Sequence, residues 1–360
     1  MVTELSDEAL DHLRHVTEWP DFSGTRYELR SEVARGGMGV VYVARDRDLE
    51  RDVALKVIAA ESADAETTAR LRREARIIAR LEHPGIVPVH DAGSLPDGRA
   101  FYAMKLVSGK RLDELMREGP PLRERLRLLL RICEPVAFAH AHGVIHRDLK
   151  PENVMVGPFG EVLVMDWGVA RHREERPPGA APGSAPGDEP RSLSAPGITA
   201  HGTILGTPAY MAPEQARGEV DRVDARADVY ALGAILYFML TGHAPGRPPA
   251  TPDASTRTWG GSHDHKTAQV RPPREAAPGI PRPLEAICLK ALAAEPGARY
   301  AGASALAADV GRFLEGEPVS AYPEGVWRRV RRFAVRYRTP ILLVLAYLVM
   351  RVVLLLVARV

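Results

Sequence analysis

Cysteine and lysine are both scarce in this chain. Two cysteines, Cys133 and Cys288, occur in 360 residues. That is too few for a disulfide framework, so a reducing compartment is expected, with both thiols as small core residues. The start, MVTELSDEAL, is acidic and lacks a basic stretch followed by an apolar run. No secretory signal peptide is expected, and the body of the chain is expected in the cytosol. No internal repeat is present. With 45% hydrophobic and 26% charged residues, the composition excludes both a disordered polyelectrolyte and a polytopic membrane protein. The length suggests one large or two modest domains with a sizeable core. The net charge of +2 hides a division: residues 1–320 carry 40 basic and 45 acidic side chains, whereas 321–360 carry eight and one.

From Tyr27 to Asp46, β-branched residues flank a glycine-rich turn and predict a strand hairpin, with RDVALKVI as a third strand. In AETTARLRREARIIARLE, Leu71, Ala75, Ile78 and Leu81 fall at helical spacing, and His83-Pro84-Gly85 stops the helix. Two short strands around Ile86–Val89 and Ala100–Leu106 complete a five-stranded sheet. Beyond Gly109 the pattern is mainly helical. A helix is predicted over 122–143, with Gly143 as its C-terminal stop and Pro135 inside it, where proline costs about 3 kcal/mol or kinks the helix. Residues 177–197 hold six prolines and four glycines, and 245–283 hold nine prolines. Both read as insertions with too little apolar surface to pack.

The turn Arg35-Gly36-Gly37-Met38-Gly39 would expose backbone N–H groups to a phosphate, although any glycine-rich hairpin turn looks alike. Seventeen residues after Gly39 comes Lys56, on the inward-alternating strand ValAlaLeuLys. A snorkelling surface lysine is the plain alternative; Glu74 on the next helix is a partner that would hold Lys56 charged and aimed at phosphate oxygens. The decisive string is HRDLKPEN, His146 to Asn153, followed thirteen residues after Asn153 by Asp166-Trp167-Gly168. Phosphoryl transfer needs positioners and charge carriers more than covalent help. Asp148 can accept a hydroxyl proton, Lys150 can steady the transferring group, and Asn153 and Asp166 offer oxygens to Mg²⁺. Of only six lysines in the chain, two are Lys56 and Lys150.

On these residues the chain resembles the protein kinase family, specifically the eukaryotic-like serine/threonine kinases of bacteria, from Tyr27 to about Leu314. The resemblance implies an α+β, two-lobed protein kinase fold: a small lobe with a five-stranded antiparallel sheet and one main helix, and a larger, mainly helical lobe. It implies an N-terminal extension at 1–26, the small lobe and hinge at 27–107 and the large lobe at 108–316 with both insertions; the charge of the tail marks a basic segment at 317–340. It implies ATP and Mg²⁺ as cofactors and Ser/Thr hydroxyls of proteins as acceptors. By the resemblance, Asp148 is the catalytic base, assisted by Lys150. Lys56 pairs with Glu74, and Asn153 and Asp166 bind Mg²⁺. Nucleotide contacts fall to Val33, Gly36, Gly37, Met38, Gly39, Val41, Ala54, Lys56, Met104 and Val107, with Met104 as gatekeeper and Lys105 to Val107 as hinge. Thr207 in GTPAYMAPEQ resembles the substrate-loop threonine, Asp228 the aspartate that braces the catalytic loop, and Arg299 the partner of Glu214. Arg147 before Asp148 resembles kinases activated by a phosphate on the activation segment, for which Thr199 and Thr203 are candidates. Self-association for trans-autophosphorylation is expected with it.

Three positions depart from the family pattern: Ala34 replaces the first loop glycine, Trp167 the usual Phe, and Lys105 a common Glu. The alternative function is a membrane-tethered pseudokinase scaffold, which Ala34 and Trp167 favour and the intact Lys56, Glu74, Asp148, Asn153 and Asp166 oppose. A small-molecule kinase is disfavoured by GTPAY and AlaProGlu. His140, His142 and His146, and again His263 and His265, invite a zinc reading, but they lie beside the catalytic motif and in a proline-rich insertion. Finally, residues 341–358 are apolar except Arg351, and 18 helical residues span about 27 Å. A single-pass transmembrane helix is expected there. The six arginines between 328 and 338 would keep the kinase on the cytoplasmic face of the inner membrane. A helix lying in the interface or packing on the body are the other readings. Nucleic-acid binding is not expected, because those arginines adjoin the apolar run and share no aromatic stacking pattern.

Overall fold

The computed structural model describes residues 19–36, 39–59, 64–167, 171–172, 208–219, 222–245, 270–323, 342–348 and 350–351. Five antiparallel strands open it: β1 (Tyr27–Gly36), β2 (Gly39–Asp46), β3 (Arg51–Val57), β4 (Val89–Ser94) and β5 (Ala100–Lys105), in the order β1-β2-β3-β5-β4. Helix α1 (Ala65–Ala79) lies against one face. Asp64 caps it by accepting the Thr67 N–H at 2.6 Å, and Leu71, Glu74, Ala75, Ile77 and Ile78 form its buried side. Alternation along β3 sorts its side chains. Ala54 and Lys56 face α1, whereas Val53, Leu55 and Val57 join an outer cluster with Tyr42, Phe101 and Phe22. Both faces are therefore covered, and β3 is buried from Val53 to Val57. Phe22, within the expected N-terminal extension, is 7% exposed and meets Phe101 edge-on at 5.1 Å. The sequence around it thus completes the small lobe.

Register sets the site. Val41 pairs with Lys56 and Lys56 with Tyr102; Ala54 pairs with Met104. Gly39 closes the β1–β2 turn so near β3 that a Cβ there would stand 2.2 Å from the Val57 carbonyl oxygen, which makes glycine obligatory. β1 is irregular: Glu32 pairs with Tyr42 and Ala34 with Val41, leaving Val33 as the extra residue of a bulge, 57% exposed. The strand expected around Ile86–Val89 begins only at Val89. Pro88 has no N–H for the ladder, although its carbonyl accepts Lys105 N–H at 3.1 Å. Ile86 instead makes an isolated bridge to Val164.

The second lobe is helical: a short α2 (Leu112–Arg117), α3 (Leu122–Ala141), α4 (Ala225–Thr241), α5 (Arg282–Ala291) and α6 (Ala303–Leu314). α3 runs unbroken through Pro135, which is buried and packs on the turn after α1, where a Cβ on Gly85 would come within 3.0 Å of its ring. Tertiary burial of the apolar face outweighs the lost backbone bond. Gly143, at φ +74°, ends the helix as its sequence predicts. α4 is buried nearly all round, from Ala227 to Leu240 apart from Phe238, and Gly233 lets α5 approach closely at Ala291. Three short strands, β6 (Lys110–Arg111), β8 (Val154–Val156) and β9 (Val162–Val164), form a small sheet, and β7 (Val144–Ile145) leads from α3 toward the loop holding Asp148. One apolar cluster runs from Ile58, Leu71 and Tyr102 through Leu149 and Trp167 into α3, α4 and α6, joining the lobes.

The expected insertion at 177–197, with Gly37, Met38, Gly168, Thr199, Thr203 and Thr207, lies outside the described residues. Of the insertion expected at 245–283, Pro245 and residues 270–283 are described, and the latter are built in: Pro273–Ala276 is helical, and Pro273 and Ile280 are buried. Asp309 on α6 accepts the Tyr300 hydroxyl at 2.9 Å, Ser320 N–H at 2.8 Å and Oγ at 2.7 Å, and Ala321 N–H at 3.1 Å, tying the chain that follows the helix to the lobe. In the apolar run 341–358, residues 342–348 and 350–351 are helical and exposed, and the rest lies outside the described residues. No described helix is long and apolar enough to cross a membrane.

Candidate active site

Two groups of side chains meet in the cleft between the lobes. The first is centred on Lys56. Its ammonium donates to Glu74 Oε1 at 2.8 Å and to Asp166 Oδ1 at 3.0 Å, bringing together β3, α1 and the segment after β9. The side chains of Lys56 and Glu74 are 11% and 1% exposed, that of Asp166 47%. Burial penalises the Lys56 ammonium, but the Tyr102 oxygen and the Asp166 and Glu74 carboxylates outweigh it and hold its pKa well above the ordinary lysine value. Lys56 in turn holds the Asp166 carboxyl below the usual range, against burial. Both groups stay charged at neutral pH.

The second group is the loop after β7. Lys150 Nζ donates to Asp148 Oδ2 at 2.8 Å. Asn153 Nδ2 donates to the Asp148 carbonyl at 2.8 Å and its carboxylate at 3.3 Å, which leaves the Asn153 amide oxygen as its remaining acceptor. His146, fully buried, accepts the Asp148 N–H at Nδ1 and so donates from Nε2 to the Met165 carbonyl at 3.0 Å. The loop is thereby fastened to the segment carrying Asp166. Arg147 and Asp166 both adopt positive φ, +71° and +58°, conformations that cost a non-glycine residue about 1–3 kcal/mol and persist only under constraint.

The constraint is visible. Asp228, buried on α4, accepts the Arg147 N–H at 2.9 Å, the His146 N–H at 2.8 Å and the His140 ring at 2.7 Å. Burial would raise its pKa, but these donors, His140 foremost, lower it. The Arg147 carbonyl accepts Gln215 Nε2 at 3.0 Å, while Gln215 Oε1 accepts the Ala212 N–H at 3.3 Å. Gln215 therefore couples AlaProGlu to the Asp148 loop. The Arg299 guanidinium meets Glu214 in a bidentate pair, 2.7 Å for each bond, both side chains buried. Trp167 is 1% exposed, packs against His146 with the rings tilted 55° and their centroids 4.6 Å apart, and donates to the Val164 carbonyl.

The predicted nucleotide residues Gly36, Gly39, Val41, Ala54, Lys56, Met104 and Val107 lie on the strands and hinge bordering this cleft, with Ala54 buried. The exposed Val33 is carried on the β1 bulge, and Gly37 and Met38 are outside the described residues. Sequence reasoning missed Tyr102, whose hydroxyl donates to Glu74 Oε1 at 2.9 Å, and Gln215. The ring of His140, where the sequence disfavours zinc, is engaged by Asp228. For Tyr102 a signal existed: it lies two residues before Met104 and so on the same face of β5.

The protein kinase domain model matches residues 27–309. Serine/threonine-protein kinase PknB of Mycobacterium tuberculosis is 39% identical over 308 residues, covering 84% of this chain and 45% of that protein. A probable serine/threonine-protein kinase PknB of Bifidobacterium longum is 36% identical over 311 residues, 83% of this chain and 41% of that one. The chain thus spans less than half the length of these curated relatives. The crystal structure of the Mycobacterium tuberculosis PknI kinase domain superposes with a TM-score of 0.57 at 26% identity, covering 81% of this chain and 96% of the other. This chain belongs to the protein kinase family, and its two-lobed architecture is the protein kinase fold.

Proposed function

We propose that the chain is a protein serine/threonine kinase that transfers the γ-phosphoryl group of ATP to Ser/Thr hydroxyls of proteins. The observation that carries the proposal is the convergence of two charged sets on one cleft: Lys56 held by Glu74 and Asp166, and Asp148 held by Lys150 and Asn153. In this reading Asp148 orients the acceptor hydroxyl and takes its proton as the new O–P bond forms and the bond to the β-phosphate oxygen breaks, ADP leaving. Lys150 offsets charge on the transferring group, and Lys56 orients the α- and β-phosphates. The donor set suits Mg²⁺: the Asp166 carboxylate and the Asn153 amide oxygen are hard oxygens, and Asp166 is half exposed to the cleft. Bound there, Mg²⁺ would neutralise phosphate charge. The LysProGluAsn segment and the named activity of the curated relatives favour Ser/Thr over Tyr acceptors.

Two finer readings belong to the same proposal. Phosphorylation in trans at Thr199 or Thr203 would raise activity, supported by Arg147 directly before Asp148 and by the position of both threonines upstream of AlaProGlu. Residues 341–358 would anchor the chain to the membrane with the kinase on the arginine-rich, cytoplasmic side. The test is incubation with Mg²⁺ and γ-labelled ATP, followed by identification of the labelled amino acids and sites. Labelled serine or threonine, with a site within 190–207, is expected. Label on tyrosine, or none on any protein, contradicts the acceptor reading, and active protein without phosphate on 190–207 contradicts the trans-phosphorylation reading.

A further inference from the structure

The buried carboxylate that holds Lys56 has a second, unassigned donor. Tyr102 stands opposite Lys56 in the β3–β5 pairing, so both side chains leave the sheet on one face. Its hydroxyl donates to Glu74 Oε1 at 2.9 Å, the same oxygen that accepts Lys56 Nζ at 2.8 Å, and Lys56 Nζ lies 5.9 Å from the Tyr102 ring centroid. Glu74 Oε2 is buried and has no hydrogen-bond partner among the described residues. Among the described residues, the direct hydrogen bonds to Glu74 therefore fall on one oxygen, from one ammonium and one phenol.

The two donors differ in kind. Lys56 sits on a flexible four-carbon stem and is also drawn toward Asp166 at 3.0 Å. Tyr102 has two rotatable bonds, is 2% exposed and is fixed in the core cluster with Ile58, Leu71 and Ala75. Burial pushes its phenol well above the ordinary value, so it remains a neutral donor across the working range. A rigid donor on the sheet and a carboxylate on α1 together define the distance between sheet and helix.

We propose that Tyr102 is a positioning residue: its hydroxyl fixes the Glu74 oxygen, and through it α1, so that the Lys56 ammonium is presented to the nucleotide phosphates. This rests on the kinase reading for its consequence in turnover, but not for its consequence in nucleotide binding.

Tyr102→Phe removes the hydroxyl and keeps the ring. Calorimetric titration with Mg²⁺ and ADP, together with steady-state kinetics, reads the result. Loss of a buried hydrogen bond to a charged group predicts a roughly tenfold rise in Kd for the nucleotide and in KM for ATP, with kcat within about threefold. In the Glu74→Gln background, Tyr102→Phe is expected to add no comparable rise, because the charged acceptor it serves is gone. An unchanged Kd and KM in Tyr102→Phe, or the same rise in both backgrounds, overturns the proposal. If the wild type binds nucleotide with these shifts yet transfers no phosphate, the kinase reading fails and the Tyr102 assignment stands. A wild type that binds no nucleotide overturns both.

Discussion

Asp228 on α4 accepts the backbone N–H of Arg147 at 2.9 Å and so holds that residue at φ +71° immediately before Asp148. The aspartate lies 81 positions downstream of the loop it holds. Since Asp228 also takes the His146 N–H and the His140 ring, removing its charge leaves buried donors facing an amide. Asp228→Asn is expected to lower stability by about 2 kcal/mol and kcat by at least about tenfold. Chemical denaturation and initial rates measure both. A variant with native stability and rate would remove Asp228 from the account.

Lys56→Arg keeps the charge but replaces a compact ammonium with a planar fork. The space between Glu74 and Asp166 is set by bonds of 2.8 and 3.0 Å to one nitrogen. A guanidinium cannot reproduce both, so kcat/KM for ATP is expected to fall about 100-fold or more. Retained activity would show that charge alone, without its placement, suffices.

What could be read from the sequence divides along a physical line. HRDLKPEN, the Lys56 strand, α1 with Glu74, and α3 were legible because each is a local string whose period or fixed offsets carry its meaning. Partners chosen by tertiary contact came only through the family resemblance, as for Asp228 with the Asp148 loop and Arg299 with Glu214, and three others were not legible. Tyr102 meets Glu74 across 28 positions, Gln215 meets Arg147 across 68, and His140 meets Asp228 across 88. Periodicity places Tyr102 on the face of β5 that carries Met104, but no local pattern names the residue each of these side chains meets. The bulge at Val33 depends likewise on which β2 residues lie opposite. The start of β4 was legible in principle, since Pro88 cannot donate to a ladder.

Asp309 gives a pH dependence. Burial would raise its pKa, but the N–H and hydroxyl of Ser320, with Tyr300 and Ala321, bring it down to about 2 from an ordinary 3.8. A carboxylate depressed on folding stabilises the fold above its unfolded pKa, and the contribution disappears as pH falls from about 4 to about 2. It amounts to about 2 kcal/mol. Asp309→Asn is expected to lose a similar amount at pH 7 and to show a flatter stability profile between pH 4 and 2. Denaturant midpoints at pH 2, 3, 4 and 7 decide it; parallel profiles for the two proteins would contradict it.

Removal of residues 321–360 takes away eight of the chain's arginines and the apolar run, but also Ala321, whose N–H reaches Asp309 at 3.1 Å. Truncation after Pro323 keeps that tie and still removes the tail. The shortened protein is expected in the soluble fraction with kinase activity intact. Its retention with membranes would contradict the anchor reading.

In the proposed reaction the Asp148 carboxylate, held by Lys150 and Asn153, takes the acceptor proton during phosphoryl transfer. Incorporation of γ-labelled phosphate into protein by the wild type and by Asp148→Asn, at equal concentration and saturating Mg²⁺ and ATP, tests it most directly. Loss of a positioned general base predicts a fall of about 10²- to 10⁴-fold, with nucleotide affinity unchanged. Equal incorporation by the two proteins would contradict it.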